Sequence, residues 1–242
     1  MYKIEYVMLT SSMNSSDLLR ILSADHERIV RWGQYRIKEM RSELLRGMKD
    51  KIWKYFDYHT DNADYIIVIH CNRAGKFGII RFAYIKETNE YLSKMQCVPG
   101  YSSISVHMLH RYAERVLKNK DLSIGETLLA FSQQNTSIVI YYDDTNFVAA
   151  NGKGLVLMKY DTRRDIVCMK TFVSLDMLKE SQYSAWEKVS EILKSKQEFK
   201  SFTAQRKGLV GEEKWKSLVF IDDKQVLSKK EAFELYATFY KE

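Results

Sequence analysis

Residues 137–173 read SIVIYY, DDT, NFVAA, NGK, GLVLMKY, DTRR, DIVCMKTFV: four apolar runs parted by three polar connectors. The runs are Ser137–Tyr142, Asn146–Ala150, Gly154–Tyr160 and Asp165–Val173. They are rich in Val, Ile, Phe and Tyr, side chains that suit a pleated, half-buried surface. The connectors Asp143-Asp144-Thr145, Asn151-Gly152-Lys153 and Asp161-Thr162-Arg163-Arg164 are too short for a crossover, so neighbouring strands must run antiparallel. Asn-Gly is the strongest turn signal among them, because both residues tolerate positive φ. The stretch predicts a four-stranded antiparallel meander.

Two helices are expected ahead of it. Ser103 and Ser105 are cap candidates for a helix running to about Lys118. Ser123-x-x-Glu126 is a capping-box pattern, followed by the apolar Ile124, Leu128, Leu129 and Phe131. Further upstream a helix starts at Ser15 or Ser16. Ile37, Met40, Leu44, Met48, Ile52 and Phe56 then recur every three or four residues, which predicts one long amphipathic helix over Gln34–Phe56. Tyr65–His70 and Phe77–Lys86 form a predicted hairpin about the turn Asn72–Lys76. Tyr91–Val98 reads as a third strand, stopped by Pro99-Gly100. Downstream, Tyr183–Lys200 and the stretch opened by Ser228-x-x-Glu231 read as helices, and Trp215–Ile221 as a short strand or irregular segment. The fold class is α+β: a helix-helix-four-stranded meander core with an N-terminal helix and β-hairpin and C-terminal helices. The expected divisions are 1–100, 101–175 and 176–242, or all three in one compact domain.

Composition narrows the function classes. Hydrophobic residues at 45% and aromatics at 13% place the chain among globular proteins. The net charge of +7, from 38 basic against 31 acidic residues, is compatible with a polyanionic partner. Cys71, Cys97 and Cys168 are too scattered for a disulfide framework or a structural zinc site, and read as small buried hydrophobes. The first thirteen residues lack a basic-then-apolar leader pattern, and no apolar run nears the ~20 residues of a membrane span. A cytoplasmic protein without membrane contact is expected. G-x-S-x-G, Walker, G-x-G-x-x-G and H-E-x-x-H signatures are absent. Asp143-Asp144, Asp222-Asp223 and Glu212-x-Lys214 read as turns or solvated patches, so neither a metal nor a cofactor is expected.

One stretch carries candidate chemistry: Ser105-Val106-His107-Met108-Leu109-His110-Arg111-Tyr112-Ala113-Glu114-Arg115-Val116-Leu117. At ~100° per residue, His107, Arg111 and Arg115 share one helical stripe with Glu114 beside them, and Met108, Leu109, Tyr112, Ala113 and Val116 fall on the other side. Guanidinium groups match phosphate oxygens and stay charged at working pH. An imidazole can move a proton near neutrality. Cleavage of RNA by its own 2′-hydroxyl needs these groups and no metal. The same stripe also suits the wet face of an ordinary amphipathic helix, with Glu114 paired to one of the arginines.

The pattern Ser-x-His107-x-x-x-Arg111-x-x-x-Arg115, followed by a short helix and four strands, resembles the BECR superfamily of metal-independent RNases, which includes RelE-like and BrnT-type toxins and relatives of barnase and EndoU. The resemblance covers about 70 of 242 residues, with long segments on both sides that those smaller proteins lack. It implies an acid/base or orienting role for His107, phosphate clamping by Arg111 and Arg115, and a supporting hydroxyl from Thr171 in the last strand. Lys118, Lys159 and Lys170 join the arginines as candidate nucleic-acid contacts. Strand alternation places Lys170 and Thr171 on opposite faces, so only one of them can reach the helix. Three readings follow: a toxin-like endoribonuclease acting on RNA, with a possible antitoxin partner; a nucleic-acid- or ribosome-binding protein that does not cleave; and a structural or interaction protein.

Overall fold

The computed structural model describes residues 9–47, 49–94, 101–133, 138–141, 146–151, 153–180, 183, 186–187, 220–221 and 224–225. Helix α1, Ser15–Ala24, starts where the Asn14 side chain accepts hydrogen bonds from the Ser16 and Asp17 N–H groups. Helix α2, His26–Arg46, buries Ile29, Gly33, Ile37, Met40 and Leu44, one stripe at helical spacing, and ends at Gly47, whose backbone is extended. The expected continuation of this helix to Phe56 is not what forms. Strand β1 occupies Lys51–His59 instead. Leu44, Met48, Ile52 and Phe56 are four apart, a spacing that fits a helical turn and also two strand periods. Beyond Gly47, the aromatic-rich Trp53-Lys54-Tyr55-Phe56-Asp57-Tyr58 favours the strand.

Strands β2 (Asp64–Asn72) and β3 (Phe77–Ile85) make the hairpin, and β4 is the short Glu90–Ser93. Strand β5, Tyr101–Ser105, lies where only a helix start was expected. Helices α3 (Val106–Arg115) and α4 (Ile124–Ser132) follow, the latter with both hydrogen bonds of the Ser123–Glu126 capping box. Then come β6 (Ile138–Tyr141), β7 (Asn146–Asn151), β8 (Gly154–Asp161) and β9 (Ile166–Ser174). The short β10 (Phe220–Ile221) and β11 (Lys224–Gln225) pair with each other. Of the helix expected over Tyr183–Lys200, Tyr183, Trp186 and Glu187 are described and helical; the remaining expectations for the C-terminal stretch, and Cys97, Pro99 and Gly100, lie outside the described residues. Cys71 and Cys168 are buried free thiols.

The fold is mixed α+β. Nine strands form a single sheet in the order β1-β2-β3-β4-β5-β9-β8-β7-β6. Every pairing is antiparallel except that of β5 with β9, which is parallel. The boundary expected near residue 100 therefore falls inside the sheet, where β4 pairs with β5. Helices α1 and α2 cover one face, the first, in a core that includes Leu18, Ile29, Ile67, Ile85 and Cys168. On the second face, α3 and α4 bury Met108, Leu109, Tyr112 and Leu128 against Val68, Phe82, Val167 and Phe172. Each such side chain contributes about 1.5–3 kcal/mol by leaving water. Among the described residues, no helix is long and apolar enough to cross a membrane.

Two buried carboxylates tie elements together on the first face. Asp25, at the α1–α2 junction, accepts hydrogen bonds from Thr60 Oγ1 (2.8 Å), Asn62 Nδ2 (3.0 Å) and the Tyr65 hydroxyl (2.8 Å). Glu90 accepts from Arg164 Nη1 at 3.0 Å and from Lys170 Nζ at 3.2 Å. Arg164 also donates to Asp161 at 2.7 Å and to Cys168 Sγ at 3.4 Å. Glu90 lies on β4 and Lys170 on β9, so this clamp spans β5 from one side to the other.

Burial alone would raise the Glu90 carboxyl, but the Arg164 hydrogen bond and the Lys170 charge outweigh it and hold the group below the ordinary carboxylate range. Burial and Arg164 oppose each other in the same way at Asp161, with the same net lowering. Both folded-state values thus lie below the unfolded ones. Their contribution to stability is complete above roughly pH 5 and is lost as pH falls through the lowered values. Glu90→Gln leaves Arg164 without its deepest partner and is expected to cost about 3–5 kcal/mol in chemical denaturation at pH 7. The gap between wild type and variant should narrow below pH 4, which the same titration repeated in acid would show.

Candidate nucleic-acid interface

The candidate site is built on α3. Its first turn is fixed by Ser105, whose Oγ accepts the Met108 N–H at 3.1 Å and donates to the Lys170 carbonyl at 3.2 Å. Its last turn is fixed by Arg115, whose Nη1 donates to the Phe172 carbonyl at 2.5 Å. Between them Tyr112 is buried edge-on to Phe131 of α4 (5.3 Å) and Phe172 of β9 (5.1 Å). Two polar ties and one aromatic sandwich hold the helix against β9. Its outer side is left to water.

His107 is exposed in the first turn, and no hydrogen bond links it to any other described residue. Arg111 is half-buried and pairs with Glu114 at 3.1 Å. Arg115, expected as a second phosphate clamp, spends its guanidinium on the Phe172 carbonyl. It anchors the helix, although other N–H groups of the fork stay available. Lys118 lies just past the helix with a left-handed backbone (φ 54°) and an exposed side chain 3.4 Å from Asp176. His107, Arg111 and Lys118 thus share the outward side of α3 and its end, with carboxylates interleaved.

The strand residues are elsewhere. In β8 and β9, Leu157 pairs with Thr171 and Met158 with Met169, leaving Lys170 as an extra residue. This bulge resets the alternation. Val167, Met169 and Phe172 face α3 and α4, whereas Cys168 faces α1 and α2. Lys170 reaches Glu90 on that same first face. Thr171 is paired with Leu157, between the second-face residues Val156 and Met158, and so also points to the first face. The expected split of Lys170 and Thr171 between the two faces is therefore corrected: neither joins α3. Lys159, paired with Cys168, is exposed on the first face too, with no ion pair among the described residues. The sheet stands between the helix residues and Thr171, Lys159 and Lys170.

Chemically, the α3 side can offer an imidazole and a guanidinium to a phosphate approaching from solvent. A transesterification would need a second group on the far side of the reacting phosphorus, and Thr171 cannot supply it through the sheet. Sequence reasoning missed Glu90, Arg164 and the anchoring role of Ser105. The Asp161-x-x-Arg164 turn was the visible signal for the second of these. A shallow depression of about 420 Å³ lies on the other side of the molecule, lined by Ala24, Glu27, Arg28, Arg31, Trp32 and Tyr58, none of them a predicted site residue. Among the described residues no three His, Cys, Asp or Glu side chains cluster in a way that could hold a metal ion. Comparison with protein-family models, curated proteins and solved structures returns no match for this chain.

Arg115 and Thr171 separate a structural from a catalytic assignment. Arg115→Met removes a charged donor from a partly buried carbonyl and should cost about 1.5–3 kcal/mol in urea denaturation. Thr171→Val, on the opposite face from α3, should change neither stability beyond about 0.5 kcal/mol nor any binding of RNA measured by fluorescence anisotropy.

Proposed function

We propose that the chain is a non-catalytic RNA-binding protein that presents the outward side of α3, with His107, Arg111 and Lys118, to the phosphate backbone. The observation that carries this reading is the anchoring of α3. The Ser105 and Arg115 hydrogen bonds to Lys170 and Phe172 hold the helix against a nine-stranded sheet, so the exposed cations sit on a rigid ridge. A net charge of +7 favours the approach of a polyanion. Among the described residues Arg111 and Lys118 pair with solvent-exposed carboxylates, and such pairs, worth about 0–1 kcal/mol, exchange readily for a phosphate. An RNA-cleaving activity of the toxin-like kind remains the competing reading, supported by the exposure of His107 alongside Arg111. Thr171, the opposing group that reading expects, lies across the sheet from α3.

Fluorescence anisotropy with single-stranded and duplex RNA in EDTA tests this. Binding should weaken as salt rises. Arg111→Ala and Lys118→Ala should each lower the salt slope by about 0.7 on single strands, and the RNA should remain intact. Absence of binding at low salt would overturn the proposal. Products ending in 2′,3′-cyclic phosphate, formed by wild type and lost in His107→Ala, would replace it with the catalytic reading.

A further inference from the structure

Strand β1 is the first strand of the sheet, and among the described residues nothing pairs with its outer side. Its polar backbone groups can be assigned by register. The Thr60 N–H donates to the Ala63 carbonyl at 3.0 Å and the Arg73 N–H to the Asp50 carbonyl at 3.1 Å. These pairs bracket the β1–β2 ladder, whose register runs unbroken from Lys51↔Asn72 to His59↔Asp64. The even-numbered residues of β1 therefore bond to β2, and Lys51, Trp53, Tyr55, Asp57 and His59 turn their N–H and C=O groups outward. Among the described residues that is a long, regular row of donors and acceptors with no strand beside it.

Edges of this kind are usually blunted by a bulge, a proline or free lysine charges. Here β1 has no bulge and no proline. Its two lysines are partly engaged: Lys54 Nζ lies 2.5 Å from Glu43 on α2, and Lys51 Nζ lies 4.5 Å from the centre of the Trp53 ring. From this edge we infer that two copies of the chain associate through antiparallel pairing of β1 with β1, joining their nine-stranded sheets into one continuous sheet.

The sequence of β1 favours its own copy over an arbitrary strand. A twofold axis normal to the sheet keeps each face on its own side, so residues of like parity must pair. Of the registers that also match the outward groups, the one centred on Lys54 sets Lys51 opposite Asp57 twice, by symmetry. It also sets Trp53 opposite Tyr55 and Ile52 opposite Phe56. Opposite charges and aromatic pairs across strands are the stabilising combinations. Lys54 would face its own copy, each charge already compensated by Glu43. Lys51 and Asp57 are both exposed, as an intermolecular pair requires.

Sedimentation of the full-length chain over a range of micromolar concentrations tests this. Wild type should dimerise. Lys51→Asp turns two attractions into two repulsions and should weaken the dimer roughly ten-fold, as should Asp57→Lys. The double variant K51D/D57K should restore it, which a folding defect could not do. Tyr55→Pro, which removes an outward N–H from an edge position, should also give monomer. A wild type that stays monomeric overturns the inference and leaves this edge to a strand from another protein. A dimer insensitive to both the charge reversals and Tyr55→Pro overturns it as well, since another surface would then be responsible.

Discussion

The parallel pairing of β5 with β9 is the constraint on which the rest of this structure depends. Parallel neighbours cannot be joined by a tight turn, so the chain leaves β5, builds α3, α4 and three further strands, and returns to β5 only with β9. That detour places β1–β4 on one side of β5 and β6–β9 on the other. It makes a single sheet of segments that lie far apart in sequence. The pairing itself is short, Tyr101↔Ile166 to Ile104↔Met169, and the clamp of Glu90, Arg164 and Lys170 reinforces it across β5. A buried ion group of this kind adds little against an apolar alternative of the same shape. It penalises any register in which one partner is left alone, and that is how it specifies the seam.

The geometry of the candidate interface follows from the seam. Because α3 begins one residue after β5 ends, it must fold back over β5 and β9, and its apolar side meets Phe172 there. The polar stripe then has one direction left, toward solvent. The bulge at Lys170 sits where β9 receives the Ser105 and Arg115 hydrogen bonds, and it leaves Thr171 on the same, opposite face as Lys170. A catalytic arrangement drawing on both helix and strand is thereby separated by the thickness of a sheet. The outward side of α3 is left as a continuous polar face.

Much of this was legible in the residues themselves. The apolar runs of β8 and β9, the capping box at Ser123 and the apolar stripe of α3 all report local preferences that tertiary structure does not contradict. The failures share a cause. The spacing of Leu44, Met48, Ile52 and Phe56 fits a helix and a strand alike, and beyond Gly47 the aromatic-rich run and the pairing of β1 with β2 decide for the strand. Tyr101–Ser105 is too short and too rich in serine to announce a strand, and it becomes one because Leu92, Ser93, Val167 and Cys168 stand ready on either side. The stripe of His107, Arg111 and Arg115 was readable, but the fate of Arg115 was not. Its partner is a backbone carbonyl 57 positions away, and no side-chain pattern encodes that. The bulge at Lys170 was equally silent, since one extra residue in a strand leaves no mark on composition.

Native-state amide exchange across the sheet tests the central claim most directly. If the β5–β9 seam unites the sheet, the amides of β2, β3, β5, β8 and β9 should exchange through one common opening, with the same free energy as global unfolding. Residues on both sides of β5 should also lose protection together as denaturant is added. Retention of protection in β2 and β3 while β8 and β9 exchange freely, or the reverse, would show two independent units and contradict the account.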